Sequence, residues 1–193
     1  MNIPARTARR AVAATAVIAA AILIPTAALG ESSQAAAPAA AAPPKCATTA
    51  LTAWMPAGPG NGYAGGSIYE LEISNTSARA CTLYGFPGVS ALGANGHQLG
   101  SPANWDHTDP TRLVTLARGA TAHAVLRIVD VANFGNPDQP CDPASAVALR
   151  IIPPNDRTSI QIPFSFRACG KAGPIYLYVR TSQTGAGIPN FSF

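Results

Sequence analysis

The residue types best suited to chemistry cluster in NWDHTDP, residues 104–110. Trp105, Asp106, His107 and Asp109 set an indole, an imidazole and two carboxylates in one loop. Carboxylates and imidazole ligate divalent metals, but a metal site needs three or four ligands converging in space, which one short loop seldom supplies. The expectation is therefore turn chemistry, with Asp109-Pro110 as an Asx-type turn, and no metal. Glu70 and Glu72 form a second candidate set, since glycoside hydrolysis uses two carboxylates. Both are expected to be solvated, with no apolar pocket to raise one pKa, so a general-acid role is not assigned. Gly60, Gly62 and Gly65 satisfy G-x-G-x-x-G, yet a strand rather than a helix follows, so no pyrophosphate-binding helix N-terminus is expected. GVSAL, residues 88–92, lacks the second glycine of a nucleophile elbow, which leaves Ser90 as an ordinary strand residue. No catalytic residue and no cofactor is assigned. His97, after a turn, and His123, alternating with Thr121, Val125 and Arg127, are expected to face solvent.

These residues must be positioned by strands, because alternation of period two recurs along the chain and helical periodicity does not. SIYELEIS places Tyr69, Leu71 and Ile73 on one face and Glu70 and Glu72 on the other. SIQIPFSF groups Ile160, Ile162, Phe164 and Phe166, and Pro163 requires an edge or bulge because it cannot donate to a ladder. Val147, Leu149 and Ile151 are expected to be buried, as are Ala122, Ala124, Leu126 and Ile128. In PIYLYVR, Ile175, Leu177 and Val179 point inward, which directs Tyr176 and Tyr178 outward beside Arg180. Outward tyrosine with arginine is the composition of contact hot spots. Trp105, His107, Asp109, Tyr176, Tyr178 and Arg180 are thus the candidate binding surface. Trp54 and Tyr63 flank the Gly/Pro-rich stretch 54–66, and 130–144 is a second long connection. Further strands are expected around 47–53, 79–84, 87–92 and 112–117, with Asn95-Gly96 as a hairpin turn. Eight or nine short strands separated by turn formers predict an all-β, immunoglobulin-like β-sandwich, with a β-barrel as the alternative.

The chain opens with Arg6, Arg9 and Arg10, an uncharged apolar stretch from Ala11 to Leu29, and a small-residue exit at Ala28-Leu29-Gly30. That order reads as a secretory signal over residues 1–30, the alternative being a retained membrane anchor. Arg9-Arg10 permits twin-arginine export without specifying it. Residues 31–45, ESSQAAAPAAAAPPK, lack any large apolar side chain and are expected to be a disordered spacer before a domain at 46–193. Three of the thirteen Lys and Arg residues fall in the signal, leaving ten against nine acidic residues. The remaining near-neutral balance excludes a nucleic-acid surface, which needs clustered cations to displace counterions. Cys46, Cys81, Cys141 and Cys169 all lie in the folded segment, without C-x-x-C spacing or a histidine nearby. Two disulfides are expected in an exported chain. Of three possible connectivities, loop length and strand proximity favour Cys46–Cys81 and Cys141–Cys169, each worth roughly 3–4 kcal/mol.

Several landmarks coincide: GG at 65–66, NTS at 75–77, CTLYGFPGV, NGHQLG, VTLARGATAHAVL, Cys141, PP at 153–154 and FRACG. Together they resemble the actinobacterial secreted domain of unknown function 4232 family, from about Cys46 onward. The resemblance implies an extracytoplasmic β-sandwich with paired cysteines and carries over no catalytic residues. Many relatives have a lipid-attachment cysteine, and this chain has none. The functional expectation is an exported, non-enzymatic module that contacts a protein or cell-envelope ligand, touching a membrane only through an uncleaved signal. The alternatives are a secreted hydrolase built around 104–110 and a secreted protease inhibitor presenting 54–66 or 130–144.

Overall fold

The computed structural model describes residues 41–58, 60–135 and 141–187. The expected signal and most of the spacer lie outside them. In chain order the strands are β1 (Leu51–Trp54), β2 (Asn61–Tyr63), β3 (Gly66–Asn75), β4 (Cys81–Tyr84), β5 (Gly88–Leu92), β6 (Gln98–Leu99) and β7 (Asn104–Asp106). They continue with β8 (Leu113–Leu116), β9 (Thr121–Val129), β10 (Pro143–Ile152), β11 (Ile160–Cys169), β12 (Leu177–Arg180) and β13 (Gln183–Thr184). One sheet runs β1-β3-β9-β12-β7, with β2 added to β3 and β13 to β9. The second runs β11-β10-β5-β6, and β4 and β8 form a two-stranded ribbon. The sheets are open, so the arrangement is the anticipated sandwich and not a closed barrel. Strands exceed the expected eight or nine because two- and three-residue pieces such as β6, β7 and β13 carry too little sequence to show a period.

The two sheets meet through their alternating apolar positions. Leu71, Ala124, Leu126, Leu177 and Val179 from the first sheet pack against Val89, Ala91, Leu149, Ile151 and Ile162 from the second. A smaller cluster of Leu51, Ile73, Leu83, Val114, Leu116 and Ala122 lies under the ribbon. Both expected disulfides are present. Cys46–Cys81 ties the entry of the domain to β4, and Cys141–Cys169 clips the start of β10 to the end of β11. Pro44 and Lys45, assigned above to the spacer, already belong to the fold: Thr82 N–H donates to Pro44 O at 2.8 Å, and Lys45 bridges Thr82.

Pro163 satisfies both conditions placed on it. Strand β11 is an edge, and the β10–β11 register slips between Ala146 and Ala148, where Ala146 faces Phe166 but Ala148 faces Pro163. This bulge corrects one expectation. β11 carries the extra residue yet keeps Ile160, Ile162, Phe164 and Phe166 on one face, so β10 changes phase. Ala146 takes the inward position and Val147 is 42% exposed. The Asn95-Gly96 turn is also longer than a two-residue hairpin. Gly93 N–H donates to His97 O, and only Gly96 adopts a positive φ, of 76°.

Candidate functional site

Strand β7 lies at the edge of the first sheet, parallel to β12, with Asn104 beside Tyr178, Trp105 beside Val179 and Asp106 beside Arg180. Alternation therefore sends Trp105 to the core side and Asp106 to the outer side. At the sheet margin no second layer covers Trp105, which is 53% exposed. Its indole stacks on Phe86 with centroids 5.2 Å apart and planes 12° apart. His107 meets Phe86 edge-on at 4.7 Å and Trp105 at 6.4 Å. Phe86 follows β4, where cross-strand partners Tyr84 and Leu113 are 50% and 64% exposed. Offset and edge-on ring pairs of this kind fix one another's rotamers.

The outer side of the same edge is ionic. Arg180 Nε lies 3.3 Å from Asp106 Oδ2, and its second nitrogen lies 3.5 Å from Asp109 Oδ2. Asp109 also accepts from Gln183 Nε2 at 3.2 Å. Thr108 N–H donates to Asp106 Oδ1 at 3.0 Å, and the Thr108 hydroxyl donates to the same oxygen. The Asx turn of this loop thus belongs to Asp106, not to Asp109-Pro110 as expected, because Asp109 is engaged by β12 and β13. Burial alone would raise the Asp106 carboxyl, but the Thr108 donors and the Arg180 guanidinium outweigh it and hold it below the usual carboxylate range. Tyr178 lies under the Arg127 guanidinium, 4.1 Å from its carbon to the ring centroid. Ile68, Asp106, Thr108, Val125, Arg127, Tyr178 and Arg180 line a groove of about 320 Å³.

The six candidate residues do not form one surface. Trp105 and His107 join Phe86 at the margin, whereas Asp109, Tyr178 and Arg180 meet on the outer face. Tyr176 joins neither group, and its expected outward position is corrected: it is fully buried, and its hydroxyl donates to Leu99 O at 2.9 Å. The ladder begins at Leu177, so the alternation of β12 does not govern residues 174–176. Burial pushes the Tyr176 phenol far above its ordinary value. Trp54 is 42% exposed and donates from Nε1 to Ser74 Oγ at 3.3 Å.

Two expected solvent-facing residues are buried. Glu72 is 1% exposed and His123 is 7% exposed, as cross-strand neighbours on the outer face beneath Gly185–Gly187. Desolvation raises the Glu72 carboxyl, opposed by the Gly187 N–H and by His123 and reinforced by Glu70. Period-two alternation places both side chains on the outer face but does not report the segment that covers them. His97 is exposed as expected.

Among the described residues no group of three or more His, Cys, Asp and Glu side chains is gathered as metal ligands. The carboxylates nearest His107 are committed to Arg180, Thr108 and Gln183, and the imidazole contacts rings. Chemically, this edge offers an aromatic ledge backed by a fixed ionic lattice. No curated protein matches the chain. Residues 46–183 match the family described as a domain of unknown function (DUF4232), and the chain belongs to that family.

Proposed function

We propose that the protein is an exported, non-enzymatic binding module that engages a protein or cell-envelope ligand through the Phe86–Trp105–His107 ledge. The observation that carries this reading is Trp105, half exposed yet held flat against Phe86 at the margin of a rigid sheet. A large aromatic fixed before binding loses little side-chain entropy on contact, which is why such residues dominate interface energetics. Exposed Tyr84 and Leu113 on the adjoining ribbon offer further apolar surface. Both disulfides fit an oxidising compartment, which supports export through the N-terminal segment. The spacer would then set the module at a distance from its point of export.

Cosedimentation with a cell-envelope fraction, with and without prior protease treatment of that fraction, tests this reading. Trp105→Ala is expected to weaken binding by about tenfold or more, as truncating a hot-spot tryptophan does. Loss after protease treatment identifies a protein ligand, and retention identifies a polysaccharide or lipid component. Equal sedimentation of wild type and Trp105→Ala overturns the assignment.

A further inference from the structure

Gln183–Gly187 is a strap that first continues the first sheet beside β9 and then, at Gly185–Gly187, turns over its outer face onto His123 and Glu72. Strand β13 pairs Gln183 with His123 and Thr184 with Ala122, and Gly185 N–H donates to Thr121 O at 3.0 Å. Two buried titratable side chains supply the remaining grip. His123 Nδ1 lies 2.9 Å from Gly185 O, and Gly187 N–H donates to Glu72 Oε1 at 2.6 Å. A carbonyl oxygen only accepts, so Nδ1 carries the proton of that bond. Each side chain leaves its second polar atom, Glu72 Oε2 and His123 Nε2, buried without a hydrogen-bond partner among the described residues. Buried polar atoms in a native protein are nearly always satisfied, so a pair of orphans on adjacent strands calls for a cause.

We propose that the strap is a proton-controlled latch, closed while Glu72 is protonated and loosened when it ionises. Closed, a neutral Glu72 still accepts from Gly187 through Oε1, and its second oxygen bears the hydrogen. Ionised, the closed state holds a negative charge away from water with one hydrogen bond, two residues along β3 from Glu70. Lifting the strap hydrates that charge, and desolvation is the leading reason the carboxyl is raised. The charged and titratable groups facing Glu72 are Glu70 on β3 and His123 on β9. Its β1 neighbour is Trp54, and the strap presents backbone; Asp109 touches the strap only through Gln183. The closed-state pKa lies above the open-state one. The closed form is therefore fully favoured below the open-state value and loses ground as pH rises through the closed-state value. Release exposes Glu72 and His123 and frees the β9 edge at Ala122 and His123, which β12 does not reach, its pairs ending at Leu126.

Hydrogen exchange of the Gly185 and Gly187 amides in the full chain, corrected for intrinsic rates between about pH 4 and about pH 8, reads the latch directly. Opening is expected to rise severalfold with pH in the wild type. Glu72→Gln, which keeps an acceptor and cannot ionise, is expected to flatten the profile. Gly187→Pro removes the N–H that Glu72 Oε1 accepts and is expected to raise exchange at Gly185 at every pH. The Leu71 and Leu126 amides report global unfolding and are expected not to follow these changes. A pH-independent wild type, an unchanged profile in Glu72→Gln, or full protection of Gly185 in Gly187→Pro overturns the proposal.

Discussion

Asn75 is the polar residue on which the fold leans most, and its replacement can be worked through atom by atom. It is completely buried at the end of β3. Its Nδ2 donates to Arg79 O at 2.8 Å, Leu116 O at 3.0 Å and Ala117 O at 3.2 Å. Its Oδ1 accepts from Ser77 N at 3.0 Å and Ser77 Oγ at 2.7 Å. One amide thus joins the turn after β3 to the end of β8. Asn75→Ala removes all five bonds and strands carbonyls of residues 116 and 117 near the core. At about 1 kcal/mol net for a typical bond, and about 1–3 kcal/mol for a group left buried and unmet, a loss of about 3 kcal/mol is expected. In a domain of this size that corresponds to roughly 6–12 °C in Tm. Asn75→Asp is a sharper probe because it turns a carboxylate oxygen toward three carbonyls. The buried acid is raised in the folded state, so stability is retained below its unfolded pKa and lost as pH rises through the folded one. Urea unfolding with the disulfides intact measures both variants. Asn75→Ala within about 0.5 kcal/mol of wild type, the range of neutral surface changes, refutes the reasoning, as does a pH-independent Asn75→Asp.

Three further outcomes are expected from the same structure. Val147→Asp is expected to cost under about 1 kcal/mol, and Leu149→Asp to unfold the protein, which thermal melts would show; the reverse order would contradict the bulge in β10. Replacing Cys141 and Cys169 together with alanine should lower stability by about 3 kcal/mol, measured by denaturant titration, because the bridge closes a separation of 28 residues. Asp156 is held down to about 2 by the Arg157 N–H, then Thr48 and the Thr158 N–H, with a smaller contribution from Lys45. Its contribution is expected to be present above pH 3.8 and lost as pH falls through about 2, so an NMR titration with an ordinary carboxylate midpoint would refute that set of contacts.

The sandwich was legible because long strands with one buried face print a period of two. Leu71, Leu126, Leu149 and Ile162 could be placed inward from spacing alone. Both cysteine pairs could be favoured because strand neighbours keep their loops short. What the sequence hid was everything decided by register and cover. Val147 turned outward because a bulge moved the phase of β10, and Tyr176 turned inward because it precedes its strand. Asp106 took the turn role assigned to Asp109 because Arg180 and Gln183 claim the latter. Glu72 and His123 carry a solvent-face pattern because alternation names the face of a residue and not what lies over it. A strap more than fifty residues away in sequence supplies that cover. Phe86 lies under Trp105 without a sequence sign of it for the same reason: no local pattern links the end of β4 to β7.

The central claim, that the aromatic ledge is the contact surface, is tested most directly by isotope-labelled NMR of the chain titrated with solubilised envelope material. Shifts confined to Phe86, Trp105, His107 and their ribbon neighbours Tyr84 and Leu113 are predicted, and they should vanish in Trp105→Ala. Shifts that leave those residues untouched while another face responds would contradict the account.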